Sequence, residues 1–264
     1  MRYFIQLGFD GTNYHGWQKQ KSTEATVQNV VERALHKILK KDIVVYGCGR
    51  TDTGVHSSQY VIHINLDSEP LFDLKFRLNK TLPNSIAVFE VFLVSDRLHA
   101  RYSARLRTYD YFIHLNKDPI LSKYSTFCEH MILNVELMKK VVELLLKTKD
   151  FKAVAKRPDL YDNTLCQVSS CQLFYHEEQG RLRFTITSNR FLRGMVRFCV
   201  YYILEVGSGR LSFGDFEKIL KQKKVIDYKR PAPPNGLFLS KVEYPSIELK
   251  DMHPMIKMLK LGLE

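Results

Sequence analysis

The chain has 264 residues, 45% of them hydrophobic, which excludes a disordered protein and allows one large domain or two modest ones. Its 40 lysines and arginines outnumber its 28 aspartates and glutamates, and the formal net charge of +12 favours nucleic acid or, second, an acidic membrane surface as the partner. No apolar run approaches the ~20 residues of a membrane span, and residues 1–6 show no apolar signal core.

Hydrophobic periodicity and turn residues predict six elements in the first half of the chain. In order, these are a strand at 2–9, a helix at 27–39 capped by Thr26, strands at 43–46 and 60–64, a short helix at 70–80 and a strand at 86–94. The loop at 14–20 carries the only tryptophan, with amides and cations, and fits either a solvated loop or one that touches nucleic acid. The order of these elements is the split βαβ arrangement.

The second half repeats this order with an insertion. Its predicted elements are a strand at 107–115, a helix capped by Asn134, a hairpin of 167–176 and 181–188, helices at 191–206 and 213–223 and a strand at 237–244. The fold class expected is α+β, with two β-α-β-β-α-β halves, residues 1–104 and 105–264, whose mainly antiparallel sheets abut and leave a central basic cleft. The tail at 246–264 carries no functional signal and reads at most as a short helix.

The five cysteines are odd in number and scattered along the chain. They are Cys48, Cys128, Cys166, Cys171 and Cys199. No Cys-x-x-Cys pair is present, so the sequence does not indicate a zinc site. Free thiols in a reducing cytosol fit this pattern best, and a cytoplasmic location is expected.

The most informative stretch is the loop at 47–56, which holds three glycines, Arg50, Asp52 and His56 between two predicted strands. Glycines allow backbone angles that other residues avoid, so this loop could hold the Asp52 carboxylate in a fixed, exposed position. It could equally be a turn in which Asp52 bonds its own backbone.

Three kinds of chemistry compete for Asp52. Asp-Thr-Gly also marks aspartic proteases, but Arg50 opposes the sharing of a proton between two carboxylates. Metal-dependent phosphoester hydrolysis needs converging carboxylates or histidines, and a phosphate-binding loop needs a Lys-Ser/Thr ending; neither pattern is present. A single carboxylate acting on a polyanionic substrate beside arginines fits the composition better.

The chain resembles the tRNA pseudouridine synthase A family through motifs that keep their order from about residue 5 to 245. They are Phe9-Asp10-Gly11, Gly16-Trp17-Gln18-x-Gln20, Thr26-Val27-Gln28, Gly49-Arg50-Thr51-Asp52-Thr53-Gly54-Val55-His56, Leu82-Pro83, His99-Ala100-Arg101, Arg107-Thr108-Tyr109-x-Tyr111, Asn189-x-Phe191-Leu192-x-x-Met195-Val196-Arg197, Val206-Gly207-x-Gly209 and Ala232-Pro233-Pro234-x-Gly236-Leu237.

The resemblance implies an isomerase that converts uridine to pseudouridine at positions 38–40 of the tRNA anticodon stem-loop. It implies two ferredoxin-like halves, a homodimer with tRNA across both subunits, and no cofactor or metal. Asp52 is then the catalytic residue, and five residues bind the substrate: Tyr109, Arg50, Arg197, Leu237 and Arg101.

Within this set, the resemblance makes Arg197 the cationic partner of Asp52, Tyr109 the aromatic that stacks on the target base and Leu237 the other side of the base pocket. Arg50 would support the flipped-out nucleotide, since chemistry on a stacked base requires its extrusion. Arg101, Lys19 and Lys21 are candidate phosphate contacts. His56 is expected to stabilise the loop as a hydrogen-bond donor rather than act as a general base.

The chain departs from the family pattern in three places, which bear on the tRNA positions served more than on the reaction. They are Ser57, Lys147–Phe151 and Phe198–Val200. The alternative from another class is a tRNA-binding or chaperone protein without catalysis, which would not need Asp52, Tyr109 and Arg197 together.

Overall fold

The computed structural model describes residues 1–129, 132–223, 225, 230–250 and 254–264. These residues pack into two compact units, which we call the first unit (Met1–Arg105 with Phe238–Lys257) and the second unit (Leu106–Leu237 with Met258–Glu264). The predicted division into 1–104 and 105–264 counts residues 238–257 with the second half. In the structure the described residues of this range pack with the first unit, where Phe238 and Leu239 pair with His56 and Ser57 in parallel register.

The first unit is a mainly antiparallel sheet with two helices. Its elements are β1 (Arg2–Phe9), α1 (Val27–Leu39), β2 (Tyr46–Gly47), β3 (His56–Asn65), α2 (Leu74–Thr81), β4 (Ile86–Val94) and most of β9 (Leu237–Glu243). The strand order is β4-β1-β3, with β2 along the second half of β3 and β9 beside its first two residues. The predicted split βαβ arrangement is therefore confirmed in this unit.

Local sequence explains where the helices of this unit begin. The Thr26 side chain accepts a hydrogen bond from the Asn29 backbone N–H and caps α1, as predicted. Asp73 caps α2 in the same way through the Phe76 N–H. Helix α1 ends at Leu39, because the next residue, Lys40, has a left-handed φ of 57°.

The predicted strand at 43–46 is wrong except for its last residue. Val44 is exposed, and the backbone of Val45 is bound by α1 side chains instead of a neighbouring strand. The Gln28 Nε2 donates to the Val45 carbonyl at 3.1 Å, and the Val45 N–H donates to the Glu32 carboxylate at 3.5 Å. Only Tyr46 and Gly47 pair with β3.

The second unit is also a mainly antiparallel sheet backed by helices. Its elements are β5 (Leu106–His114), β6 (Thr126–Phe127), α3 (Val135–Lys147), β7 (Val168–His176), β8 (Arg181–Ser188), α4 (Met195–Gly207), α5 (Phe213–Lys221) and the end of α6 (Pro254–Lys260). Within this unit the strand order is β5-β8-β7, with β6 parallel to the end of β5. The predicted α+β class with mainly antiparallel sheets is confirmed; how the two sheets abut stays a prediction.

The helices and hairpin of this unit agree with the sequence except at one boundary. Asn134 caps α3 through the Leu137 N–H, and Gly180 closes the β7–β8 turn with an N–H donated to the Glu177 carbonyl at 2.9 Å. The helix predicted from 191 begins only at Met195, because Gly194 precedes it with a left-handed φ of 69°. Among the described helices, none is long and apolar enough to cross a bilayer.

The five cysteines are free thiols, and all are buried. Burial raises the pKa of the Cys128 and Cys166 thiols to about 11 and that of Cys171 further. We therefore expect these three thiols in the native protein to react with Ellman's reagent at pH 8 at least about 100-fold slower than a free cysteine, because few are ionised. Unfolding in guanidinium should release all five; rapid labelling of the native protein would contradict the buried positions.

Candidate active site

Asp52 lies on the loop between β2 and β3, and a turn fixes its backbone. The Val55 N–H donates to the Asp52 carbonyl at 3.2 Å, and Gly54 at the third position of this turn has a φ of 75°, which favours glycine. The Cys48 N–H donates to the Val61 carbonyl at 2.8 Å and ties the start of the loop to β3. The Asp52 residue is half-buried. The loop therefore presents a carboxylate on a fixed backbone.

A second loop, residues 10–17, braces the Asp52 loop from the side. The Trp17 N–H donates to the Thr51 carbonyl at 3.3 Å, and the Gly54 N–H donates to the Tyr14 carbonyl at 3.2 Å. At Gly16, with a φ of 82°, a Cβ atom would clash with the Thr51 carbonyl oxygen. This close approach requires glycine, so the two loops fit together only with Gly16 in place.

Trp17 anchors the bracing loop in the core of the first unit. Its ring stacks on Tyr60 with centroids 4.2 Å apart and is 1% exposed. The expectation of a solvated loop is thus wrong for Trp17, and contact of residues 14–20 with nucleic acid stays a prediction. Trp17 is buried because it packs against Tyr60 on β3, and the sequence near Trp17 does not reveal this distant contact. His15, Gln18 and Lys19 are exposed on the same loop.

His56 begins β3 and joins the two loops, but its Nδ1 is a hydrogen-bond acceptor where a donor was expected. Its Nδ1 accepts a hydrogen bond from the Gly11 N–H at 3.0 Å, and its ring stacks on Phe238 at 4.7 Å. The Asp10 carboxylate lies 3.2 Å from the same Nδ1 atom. The His56 ring is 1% exposed and held by these contacts, so His56 is a residue that positions the two loops.

Four of the predicted substrate-binding cations lie on exposed parts of the first unit. Arg50 is exposed in the Asp52 loop, and Arg101 is exposed on the loop after β4 with its guanidinium 5.7 Å from the Tyr102 ring. Lys19 pairs with Glu32 at 3.0 Å but remains 56% exposed, and Lys21 is exposed.

The remaining predicted residues belong to the second unit. Tyr109 on β5 is 9% exposed and meets Phe191 edge to face, with centroids 4.8 Å apart. Arg197 lies in the first turn of α4, where its Nε donates to the Ala232 carbonyl at 2.6 Å while the Ala232 N–H donates to the Arg197 carbonyl at 3.1 Å. These bonds tie α4 to the proline-rich loop, residues 230–236. Leu237 follows this loop and is buried.

Tyr111 is a supporting residue to which the sequence assigned no role. Its hydroxyl donates to the Pro233 carbonyl at 2.8 Å and also lies 2.7 Å from the Thr126 Oγ1. Burial raises the pKa of Tyr111 well above its ordinary value, so the hydroxyl keeps its proton for the bond to Pro233. Tyr111 and Arg197 thus hold the proline-rich loop from two sides. The sequence signals for Tyr111 were its alternation with Tyr109 along β5 and its place in the family motif Arg107-Thr108-Tyr109-x-Tyr111.

Comparison with known proteins defines the class of enzyme. The sequence model of the family described as tRNA pseudouridine synthase matches residues 7–103 and 141–245. The tRNA pseudouridine synthase A of Bacteroides fragilis is 40% identical over 246 residues, which cover 92% of this chain and 96% of the relative.

Two further relatives carry the same name, and each match also covers more than 90% of both chains. That of Bacteroides thetaiotaomicron is 39% identical over 92% of this chain and 91% of its own length. That of Chlorobaculum tepidum is 38% identical over 91% of this chain and 96% of its own length. Both the first unit's Asp52 loop and the second unit's α4 lie within the matched ranges. The chain belongs to the tRNA pseudouridine synthase family, a class of RNA-modifying isomerases.

Proposed function

We propose that this chain isomerises uridine to pseudouridine at positions 38–40 of the tRNA anticodon stem-loop, with Asp52 as the catalytic carboxylate. The observation that carries the proposal is the family match over residues 7–103 and 141–245, which includes Asp52 on its braced loop. The net charge of +12 suits tRNA, which is a polyanion.

The proposed reaction moves the ribose from one atom of the uracil to another. The bond between N1 and C1′ breaks, the uracil turns, C5 bonds to C1′, and the proton lost from C5 balances the one gained at N1. The Asp52 carboxylate attacks or stabilises the sugar at C1′, or initiates loss of a 2′ proton. No cofactor or metal is needed for these steps in the proposal.

The substrate-binding roles follow the same assignment. Tyr109 stacks on the target base, Leu237 lines its pocket, and Arg50 supports the flipped-out nucleotide, because a stacked base is out of reach of a catalytic group. Arg197 is the cationic partner of the Asp52 carboxylate, as the family resemblance implies, and Arg101 contacts a phosphate of the RNA. Support comes from the fixed positions of Tyr109 and Arg197 in the second unit and from the exposure of Arg50 and Arg101 in the first.

The assembly and location are part of the same proposal. The protein acts as a homodimer that binds tRNA across both subunits, and it works in the cytoplasm, where its tRNA substrate and a reducing environment for its five free thiols are found. Light scattering of the purified protein at micromolar concentration tests the dimer, with a mass twice the 30.9 kDa of the chain as the expected result. A monomer at this concentration would contradict it.

We expect tRNA affinity to fall steeply with salt, with a slope of log affinity against log salt of about −3 or steeper, because several phosphates release counterions when cations replace them. Fluorescence anisotropy with a labelled tRNA transcript between low and moderate potassium chloride measures the slope. Replacing Arg101 by Gln removes one contact and is the matched variant, with a slope shallower by about 0.7. A flat dependence for the unmodified protein would contradict binding through phosphates.

A further inference from the structure

An aromatic surface of the first unit lies beside Arg101 and takes no part in bracing the Asp52 loop. We call it the aromatic platform and define it by Tyr46, His99 and Tyr102. The Tyr102 ring contacts His99 at 4.5 Å between centroids, and His99 lies 5.7 Å from Tyr46. Tyr102 is 77% exposed and Tyr46 is 43% exposed. Two tyrosines presented together to solvent are a feature of binding surfaces more than of folding.

His63 supports the platform from below. It is 1% exposed, and its ring stacks on Tyr46 with centroids 4.7 Å apart and an angle of 10° between the ring planes. Its Nδ1 accepts the Ala100 N–H at 3.1 Å, while the Nδ1 of His99 accepts the Arg101 N–H at 3.0 Å. An accepting Nδ1 carries no proton, so both rings are neutral and behave as aromatic surfaces.

The charge state of the two histidines agrees with these bonds. Burial, with the charges of His99 and Arg2, lowers the pKa of His63 to about 4. Burial also lowers the pKa of His99, with help from Arg2 and Arg101. At neutral pH Arg101 therefore supplies the positive charge at the edge of the platform, where its guanidinium lies 5.7 Å from the Tyr102 ring.

The loop that presents Tyr102 is held rigid by several bonds within the first unit. Arg2 donates to the carbonyls of Asp96 and Leu98 at 2.6 and 2.8 Å, and the Tyr244 hydroxyl donates to the Ala100 carbonyl at 2.6 Å. The Ser103 N–H donates to the His99 carbonyl at 3.0 Å. A platform fixed before binding loses little conformational entropy when a ligand stacks on it.

We propose that the aromatic platform stacks on an unpaired base of the tRNA, while Arg101 contacts a neighbouring phosphate. Stacked aromatics with an adjacent cation are the usual means of binding unpaired nucleotides, and the net charge of +12 favours RNA over another protein as the occupant. The inference rests on the proposed function for the identity of the RNA, and it adds a stacking contact outside the catalytic loop.

The test measures binding of a labelled tRNA transcript to the full-length protein by anisotropy at fixed salt. Stacking on one base contributes about 1–3 kcal/mol, so Tyr102→Ala should weaken binding by about tenfold, and Tyr46→Ala should weaken it by a smaller factor. Tyr102→Phe keeps the ring and should bind like the unmodified protein. Because Tyr102 carries no charge, Tyr102→Ala should leave the salt slope unchanged, unlike Arg101→Gln.

Phe76→Ala is the matched control. Phe76 is a 58% exposed aromatic of the same unit, with the Lys80 ammonium 5.7 Å from its ring, but it lies on α2. It should bind tRNA normally. Thermal unfolding of each variant shows that the fold is intact, as expected for positions this exposed.

Normal tRNA binding by a folded Tyr102→Ala variant would overturn the inference. A change in the oligomeric state of this variant would also overturn it, because the platform would then be a contact between subunits. Pseudouridine formation by the unmodified protein is measured separately. Loss of tRNA affinity in Tyr102→Ala supports the inference even if no pseudouridine forms, and formation of pseudouridine supports the proposed function even if Tyr102→Ala binds normally.

Discussion

Asp52→Asn is expected to lower pseudouridine formation by at least about 10³-fold, as loss of a catalytic nucleophile or base does in other enzymes. The amide keeps the size of the carboxylate and removes its charge, so the braced loop should keep its shape. Binding of tRNA should stay the same or tighten slightly, because one negative charge is removed near a polyanion. Single-turnover assays at saturating protein separate the chemical step from binding.

The matched control for this change is Asp42→Asn. Asp42 is a 98% exposed carboxylate of the same unit, paired with His36 at 2.8 Å, and it lies before β2 outside the loop. The Asp42→Asn variant should isomerise uridine at the normal rate. If Asp52→Asn also retained normal turnover, Asp52 could not be the catalytic group.

Gly16→Ala should damage both stability and catalysis through a single methyl group. The Cβ would clash with the Thr51 carbonyl oxygen, and the backbone at Gly16 is left-handed. We expect a loss of about 2–4 kcal/mol in the free energy of unfolding, the sum of overpacking and a left-handed alanine. The rate should fall by about 10²-fold or more, because the methyl group displaces the residue that precedes Asp52.

Gly49→Ala is the control for Gly16→Ala because it lies in the Asp52 loop itself. A Cβ on Gly49 would meet no atom within 4 Å, so the free energy of unfolding should change little. Denaturant unfolding of both variants gives the comparison. Equal stability of the two proteins would show that the approach of Gly16 to Thr51 does not constrain the loop.

Elements fixed by local patterns could be predicted from the sequence. Apolar spacing and Thr26 identified α1, and alternation around the turn at Glu177–Gly180 identified the β7–β8 hairpin. The predicted strand at 43–46 was wrong for residues 43–45, because side chains of α1 bind the Val45 backbone in place of a neighbouring strand, which the sequence pattern does not show. The sequence predicted a start of α4 at residue 191, four residues too early. The left-handed backbone of Gly194 delays the start to Met195, and a pattern of apolar residues does not show this.

The candidate site divides in the same way. Asp52 stands out in the sequence because glycines, Arg50 and His56 surround it, and the family match includes it. The parts that support it depend on contacts between distant residues: Trp17 reaches Tyr60, and Gly16 meets the Thr51 carbonyl. Tyr111 was hidden for the same reason, since its bond to Pro233 spans 122 positions of the chain. The roles of Tyr109, Arg50, Arg197, Leu237 and Arg101 stay predictions.

The central claim is best tested by mapping pseudouridine in bulk tRNA incubated with the purified protein and, in parallel, with Asp52→Asn. The tRNA should come from cells that lack pseudouridine in the anticodon stem-loop. We expect new pseudouridine at positions 38–40 with the unmodified protein and none above background with Asp52→Asn. Pseudouridine confined to other positions, or none with either protein while tRNA still binds, would contradict the proposed function.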